Sequence, residues 1–147
     1  MTPGTQPPPY RSYATIMGTF LGGLAAATGL ARRLGREPSC QSTLDYAILS
    51  MASFKAARTI TRDHVTSFIR EPFVEGEAYD GEGERPVADG GMQQAIGELV
   101  TCSRCMGTWL AGGLVWTQVL APRFGRLLTW SLAAAGANDS SRQGSRR

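Results

Sequence analysis

Residues 14–31 (ATIMGTFLGGLAAATGLA) carry no charged side chain, and no other feature restricts the fold of this chain as tightly. As a helix, a run of that length at about 1.5 Å per residue reaches about 27 Å, enough to cross the hydrocarbon core of a bilayer. A second uncharged run follows at residues 106–121, with Trp109 and Trp116 inside it. The mean hydropathy of -0.15 is low for a protein made mostly of membrane spans. That average hides clumping, because the acids concentrate between Glu75 and Asp89 while Arg and Lys sit beside the apolar runs. The pattern predicts an all-α, small helical membrane protein of about three to four short helices with a flexible acidic loop.

The 147 residues allow one domain with flanking segments. Residues 1–12, rich in proline, are expected to be disordered. Residues 13–36 form an apolar anchor helix, in which Gly18, Gly22 and Ala26 fall four apart on one face and would let another helix approach closely. Arg32, Arg33 and Arg36 follow at once, which argues for a retained anchor over a cleaved signal sequence. After the Glu37-Pro38-Ser39 break, Ser42 or Thr43 caps a helix with Asp45 in its first turn. This helix runs to about Asp63. Its first half is apolar, and Lys55, Arg58 and Arg62 make a cationic face in its second half, suited to snorkelling or to lying on a membrane surface. A short amphipathic run, 64–73, ends at Pro72, and its His64 reads as a capping or solvated group rather than a catalytic one.

Residues 74–91 are acidic and glycine-rich and predict a flexible loop, without the ligand pattern of a calcium site. A helix from Met92 leads into the uncharged run and stops at Pro122. Residues 127–137 are too short to span alone and are expected to fold back as a half-helix, with 141–147 a disordered basic tail.

Chemistry concentrates in Cys102-Ser103-Arg104-Cys105, a CxxC at the start of an apolar helix. There the helix dipole and Arg104 would favour a thiolate, as a redox dithiol needs. Two cysteines at this spacing can also supply half of a metal site, and Cys40 and His64 are the remaining ligands on offer. Equally, both can be small capping residues under the helix. Met106 stands where haem attachment requires a histidine. Three cysteines, two of them close together, do not form a secreted disulfide framework, so reduced thiols are expected. No cofactor and no enzyme active site are expected.

Three separated motifs resemble one family. LDYAILSMASFKAARTITRDHVTSFIREPF, with Lys55, Arg58, Asp63, Arg70 and Glu71, looks like the signature helix of the domain-of-unknown-function 1360 family of small bacterial membrane proteins. LVTCSRCMGTWLAGG resembles its cysteine pair followed by glycine and tryptophan, here Cys102, Cys105, Gly107 and Trp109. The ending AAAGAND, residues 133–139, is similar as well. The resemblance covers residues 43–140, leaves 14–31 outside as an added anchor, and implies a membrane protein with no established activity.

The function expected is that of a non-enzymatic integral membrane protein that binds a partner or serves as a structural component. Its partners would be the lipid bilayer with its anionic head groups, another membrane protein or a second copy, and no nucleic acid, because the net charge of +3 forms no continuous basic face. The alternatives are a redox or metal protein using Cys102 and Cys105, and a phage-type membrane-permeabilising protein. The expected location is the bacterial inner membrane. Arg32, Arg33 and Arg36 and the later Arg62 and Arg70 all ask to be cytoplasmic, which two spanning helices cannot both satisfy. That conflict is expected to resolve with helix 43–62 on the cytoplasmic surface and with the cysteine pair and tail on the cytoplasmic side.

Overall fold

A computed structural model describes residues 8–36, 42–76 and 84–144. The helix α1, Tyr10–Arg33, contains the uncharged run and begins just after Pro8 and Pro9, whose missing N–H groups cost nothing at a helix start. Next, α2, Thr43–Arg62, opens on the expected signal. Ser42 Oγ accepts from the Asp45 backbone N–H at 3.2 Å, and the Asp45 carboxylate accepts from the Ser42 N–H at 2.9 Å. A 3₁₀ turn (His64–Thr66), the single-turn α3 (Ser67–Arg70) and a second 3₁₀ turn (Glu71–Phe73) follow. Two short antiparallel strands, β1 (Val74–Glu75) and β2 (Arg85–Pro86), pair Val74 with Pro86 and Glu75 with Arg85. The last three elements are α4, Met92–Thr101, α5, Ser103–Leu120, and α6, Pro122–Gly144.

Two expectations are corrected here. The stretch read as a half-helix over 127–137 is part of a helix that starts at Pro122 and continues through Gly144. Pro122 suits the first helical position, so it begins α6 as well as ending α5. The polar residues beyond Ala137 stay helical because Ser140 and Ser141 donate to the Gly136 and Asn138 carbonyls, while Asp139 ties the turn to α2. Residues 74–76 and 84–91 of the expected loop are also pinned. A Cβ on Gly97 would lie 2.4 Å from the Phe73 carbonyl oxygen, so only glycine lets α4 sit this close to the strands. Residues 77–83 lie outside the described residues.

The four long helices pack side by side. Thr61, at the end of α2, meets Ser103, at the start of α5, Oγ to Oγ at 2.8 Å, so these two helices run antiparallel. Met51 and Lys55 of α2 lie against Gly136 and Asp139 of α6, and Ile48 and Leu49 share a cluster with Leu128 and Leu132, so α2 and α6 run the same way. Along α1, Tyr13 reaches Glu98, Phe20 meets Gly112, and Gly23 meets Trp116, which makes α1 parallel to α5. Thus α2 lies between α5 and α6 in the bundle.

The interior is unusual in its contents. Buried apolar positions are mostly alanines (27, 31, 52, 56, 57, 95 and 133), with Leu114, Val74 and Val100 the larger ones. The largest fully buried side chains are Arg70 and Thr129. Met17, Leu21, Leu44, Tyr46, Phe54, Phe124, Leu127 and Trp130 are exposed instead. Most of the fully buried apolar positions are small, and many of the large apolar side chains are exposed.

Candidate functional site

Two features gather the residues singled out by the sequence, both at the end of the bundle where α2 finishes and α5 begins. Arg70 organises the first. Its side chain is wholly buried, at the junction of α3 with the following turn. Nε donates to Glu84 Oε2 at 2.9 Å and Nη2 to Glu84 Oε1 at 3.0 Å, a forked pair whose carboxylate is 5% exposed. Nη1 donates to the Ile60 carbonyl at 2.6 Å and the Asp63 carbonyl at 3.2 Å, satisfying acceptors that the end of α2 leaves open. Thr66 Oγ1 adds a bond to the Thr59 carbonyl at 2.5 Å. One guanidinium therefore fastens the close of α2, the α3 corner and the return from the acidic loop.

The other family-motif residues are distributed around this corner. Lys55 pairs with Asp139 at 2.5 Å, two half-exposed groups that join α2 to α6. Arg58 lies over the Phe54 ring at 6.0 Å, and Asp63 caps α2 through its backbone. Glu71 is exposed and does not join the Arg70 cluster. Sequence reasoning missed Glu84, which is distant in sequence and sits among repeated acids with nothing to single it out. Asp139 fell within a quoted motif, but its pairing with Lys55 had no local sign.

The second feature is the cysteine pair. The chain breaks between α4 and α5 at Cys102, which takes an extended conformation and caps α5, its Sγ accepting from the Cys105 backbone N–H at 3.3 Å. Cys102 and Cys105 are joined as a disulfide, with Cα atoms 5.3 Å apart. Reduced thiols were expected; the structure describes the pair in its bonded form. One turn of helix brings residues three apart within bridging distance, and the cap geometry turns the Cys102 sulfur toward its partner. Both capping and a dithiol–disulfide pair are therefore present. Joined sulfurs are not thiolate ligands, and among the described residues no cluster of three His, Cys, Asp or Glu is placed to hold a metal. Cys40 lies outside the described residues. Beside Cys105, which is exposed, a cleft of about 320 Å³ is walled by Met17, Phe20, Leu99 and Trp109 and rimmed by a Tyr13–Glu98 hydrogen bond. Trp109 packs on Phe20 with ring centres 5.0 Å apart. A Cβ added at Gly107 would meet nothing within 4 Å.

The small-residue stripe of α1 is not the face used inside the chain. Gly18 and Gly22 have nothing within 4 Å and Ala26 is exposed. The neighbouring face, Phe20, Gly23, Leu24 and Ala27, meets α5 instead.

These features define a small, mostly helical protein with a buried ionic corner and a capped cysteine pair at one end of its bundle. The chain belongs to the family described as a protein of unknown function (DUF1360), which it matches over residues 48–143. It is 34% identical over 98 residues to a Bacillus subtilis protein named sporulation protein YjcA, an alignment covering 63% of this chain and 83% of the relative. To the UPF0713 protein YngL of the same organism it is 28% identical over 96 residues, covering 65% of this chain and 74% of the relative. No solved structure matches significantly. The matched region begins inside α2, so α1 lies outside it.

Proposed function

We propose that the chain is a non-enzymatic integral membrane protein of the bacterial cell membrane, a helical bundle anchored by α1 that serves as a partner-binding or structural component. The inverted packing carries this reading. In water, large apolar side chains fill a core and small ones do not suffice. In lipid, small residues let helix backbones approach while Leu, Phe, Met and Trp face the hydrocarbon. Alanines inside, with Leu21, Phe54, Leu127 and Trp130 outside, follow the second rule. Supporting it, α1 is long and apolar enough to cross a membrane, with 11% of its best window buried in the bundle. At about 1.5 Å per residue, α2, α5 and α6 reach roughly 27–35 Å, and away from their end groups the charges they carry are the Lys55–Asp139 pair and Arg58 beside Phe54.

Basic groups stand at both ends of the bundle: Arg32, Arg33, Arg36, Arg123 and Arg126 at one, Arg58, Arg62 and Arg104 at the other. The disulfide supports an outer position for the cysteine end, because such bonds persist outside a reducing cytoplasm. We therefore propose the cysteine end on the outer side, in place of the cytoplasmic side drawn from basic residues alone. The name of the sporulation relative suggests a process in which to look for partners.

The test is fractionation of tag-free, full-length protein. It is expected in membranes and resistant to carbonate, whereas recovery in the soluble fraction would refute the reading. Deletion of residues 1–36 should weaken attachment without abolishing it. On intact cells of a Cys40→Ala variant, an impermeant maleimide should label Cys102 and Cys105 only after an impermeant reductant; protection until the cells are permeabilised would reverse the orientation.

The disulfide supports a second reading as a thiol–disulfide exchange protein. A partner dithiol would attack the exposed Cys105 sulfur, release Cys102 as a thiolate at the helix N-terminus, and leave as its own disulfide with two electrons passed to the pair. Loss of such exchange in a Cys102→Ser/Cys105→Ser variant that still inserts would favour it over capping alone.

A further inference from the structure

At the end of the bundle opposite the cysteines, α1 and α5 part to leave a cleft of about 470 Å³, a size typical of ligand sites. Leu24, Ala27 and Val115 line its depth, and Val119 lies nearer the mouth. Arg32 and Arg36 line that mouth. From Leu24 to Arg32 the helix climbs about 12 Å, so apolar wall and guanidinium groups are layered along the helix axis.

Two observations point to an occupant. Among the described residues neither Arg32 nor Arg36 meets a carboxylate, and Asp45, the acid of that end, is engaged by Ser42. Trp116, which meets α1 at the level of Gly23, closes the foot of the cleft with an aromatic wall. An apolar trough that ends in two cations matches the acyl chain and phosphate of one amphiphile.

We propose that this cleft binds an anionic phospholipid, with its phosphate on Arg32 and Arg36 and one acyl chain along Leu24 and Val115 toward Trp116. The proposal rests on the membrane reading above. It gives α1, which lies outside the family match, a lipid-selecting role beyond anchoring. Forked donors bind phosphate well, and anionic lipid concentrates them at a membrane surface.

The experiment uses full-length protein with Trp109→Phe and Trp130→Phe, leaving Trp116 as the reporter, in vesicles of phosphatidylcholine. Phosphatidylglycerol with brominated acyl chains should quench Trp116 at fractions roughly tenfold lower than brominated phosphatidylcholine requires. Arg32→Gln/Arg36→Gln should erase that preference, with insertion and helix content unchanged, while Arg123→Gln/Arg126→Gln should keep it. Equal quenching by the two lipids in inserted parent protein would overturn the site, as would equal loss in both arginine pairs. Failure to enter vesicles at all would instead refute the membrane reading.

Discussion

Replacing Arg70 by methionine tests the corner that holds the head of the bundle. The guanidinium is wholly buried and its partner carboxylate, on Glu84, is 5% exposed. Removing one member of a buried pair strands the other, which typically costs about 3–5 kcal/mol. The Ile60 and Asp63 carbonyls also lose a donor, although Ile60 is only half-buried and water can replace part of that bond. A net loss of about 4 kcal/mol is expected, equivalent to a fall of roughly 10 °C in melting temperature for a chain of this size. The assay is thermal unfolding in mild detergent followed by far-UV circular dichroism. Glu84→Met should give a similar loss, and the double variant should recover much of it, since apolar groups then replace a complete ion pair. If Arg70→Met lowers stability by less than about 1 kcal/mol, or if the two single effects add to within about 0.5 kcal/mol, the pair does not organise the corner as argued.

Two glycines should respond in opposite ways to alanine. At Gly136 a Cβ would stand 3.1 Å from Met51 Cγ and 3.2 Å from Lys55 Cβ and the Met51 carbonyl oxygen, so Gly136→Ala should separate α2 from α6 and destabilise by about 1 kcal/mol. At Gly18 nothing lies within 4 Å, so Gly18→Ala should stabilise α1 by about 0.5–1 kcal/mol through helix propensity, read from the same melts. Asp45 gives the pH dependence. Hydrogen bonds from the Ser42 backbone and then its hydroxyl hold the carboxyl below its ordinary 3.8, so the contribution is full above that value and is lost as pH falls through the lower, folded-state value. A pH series of melts should show that acid loss diminished in Asp45→Asn; an unchanged series would remove the capping box as its source.

The sequence carried the local rules well and the long-range pairings poorly. Ser42 and Asp45 announced the start of α2, because capping chemistry acts within one turn. The end of α6 was missed because the apolar window closes at Ala137, whereas Asp139 holds the next turn through Lys55, far away in sequence. Arg70 was marked by its motif but Glu84 was not, since loop acids are interchangeable until folding selects one. On α1 the chain carries two overlapping stripes of small residues, Gly18-Gly22-Ala26 and Gly23-Ala27-Ala31. Spacing cannot choose between them. The bulky ring of Phe20 and the side chain of Leu24, set against Gly112, make the second the packed one.

An interior built from alanine changes which positions natural variation can visit. Ala52 and Ala57 have essentially no room around them, and Gly125 would place a Cβ 2.4 Å from the α5 backbone. Phe54, Leu127 and Trp130 face outward, and under the proposed membrane reading they meet lipid, where one oily side chain serves about as well as another. A saturation library should therefore tolerate exchange at its largest residues and reject it at its smallest, the reverse of the profile of a water-soluble domain.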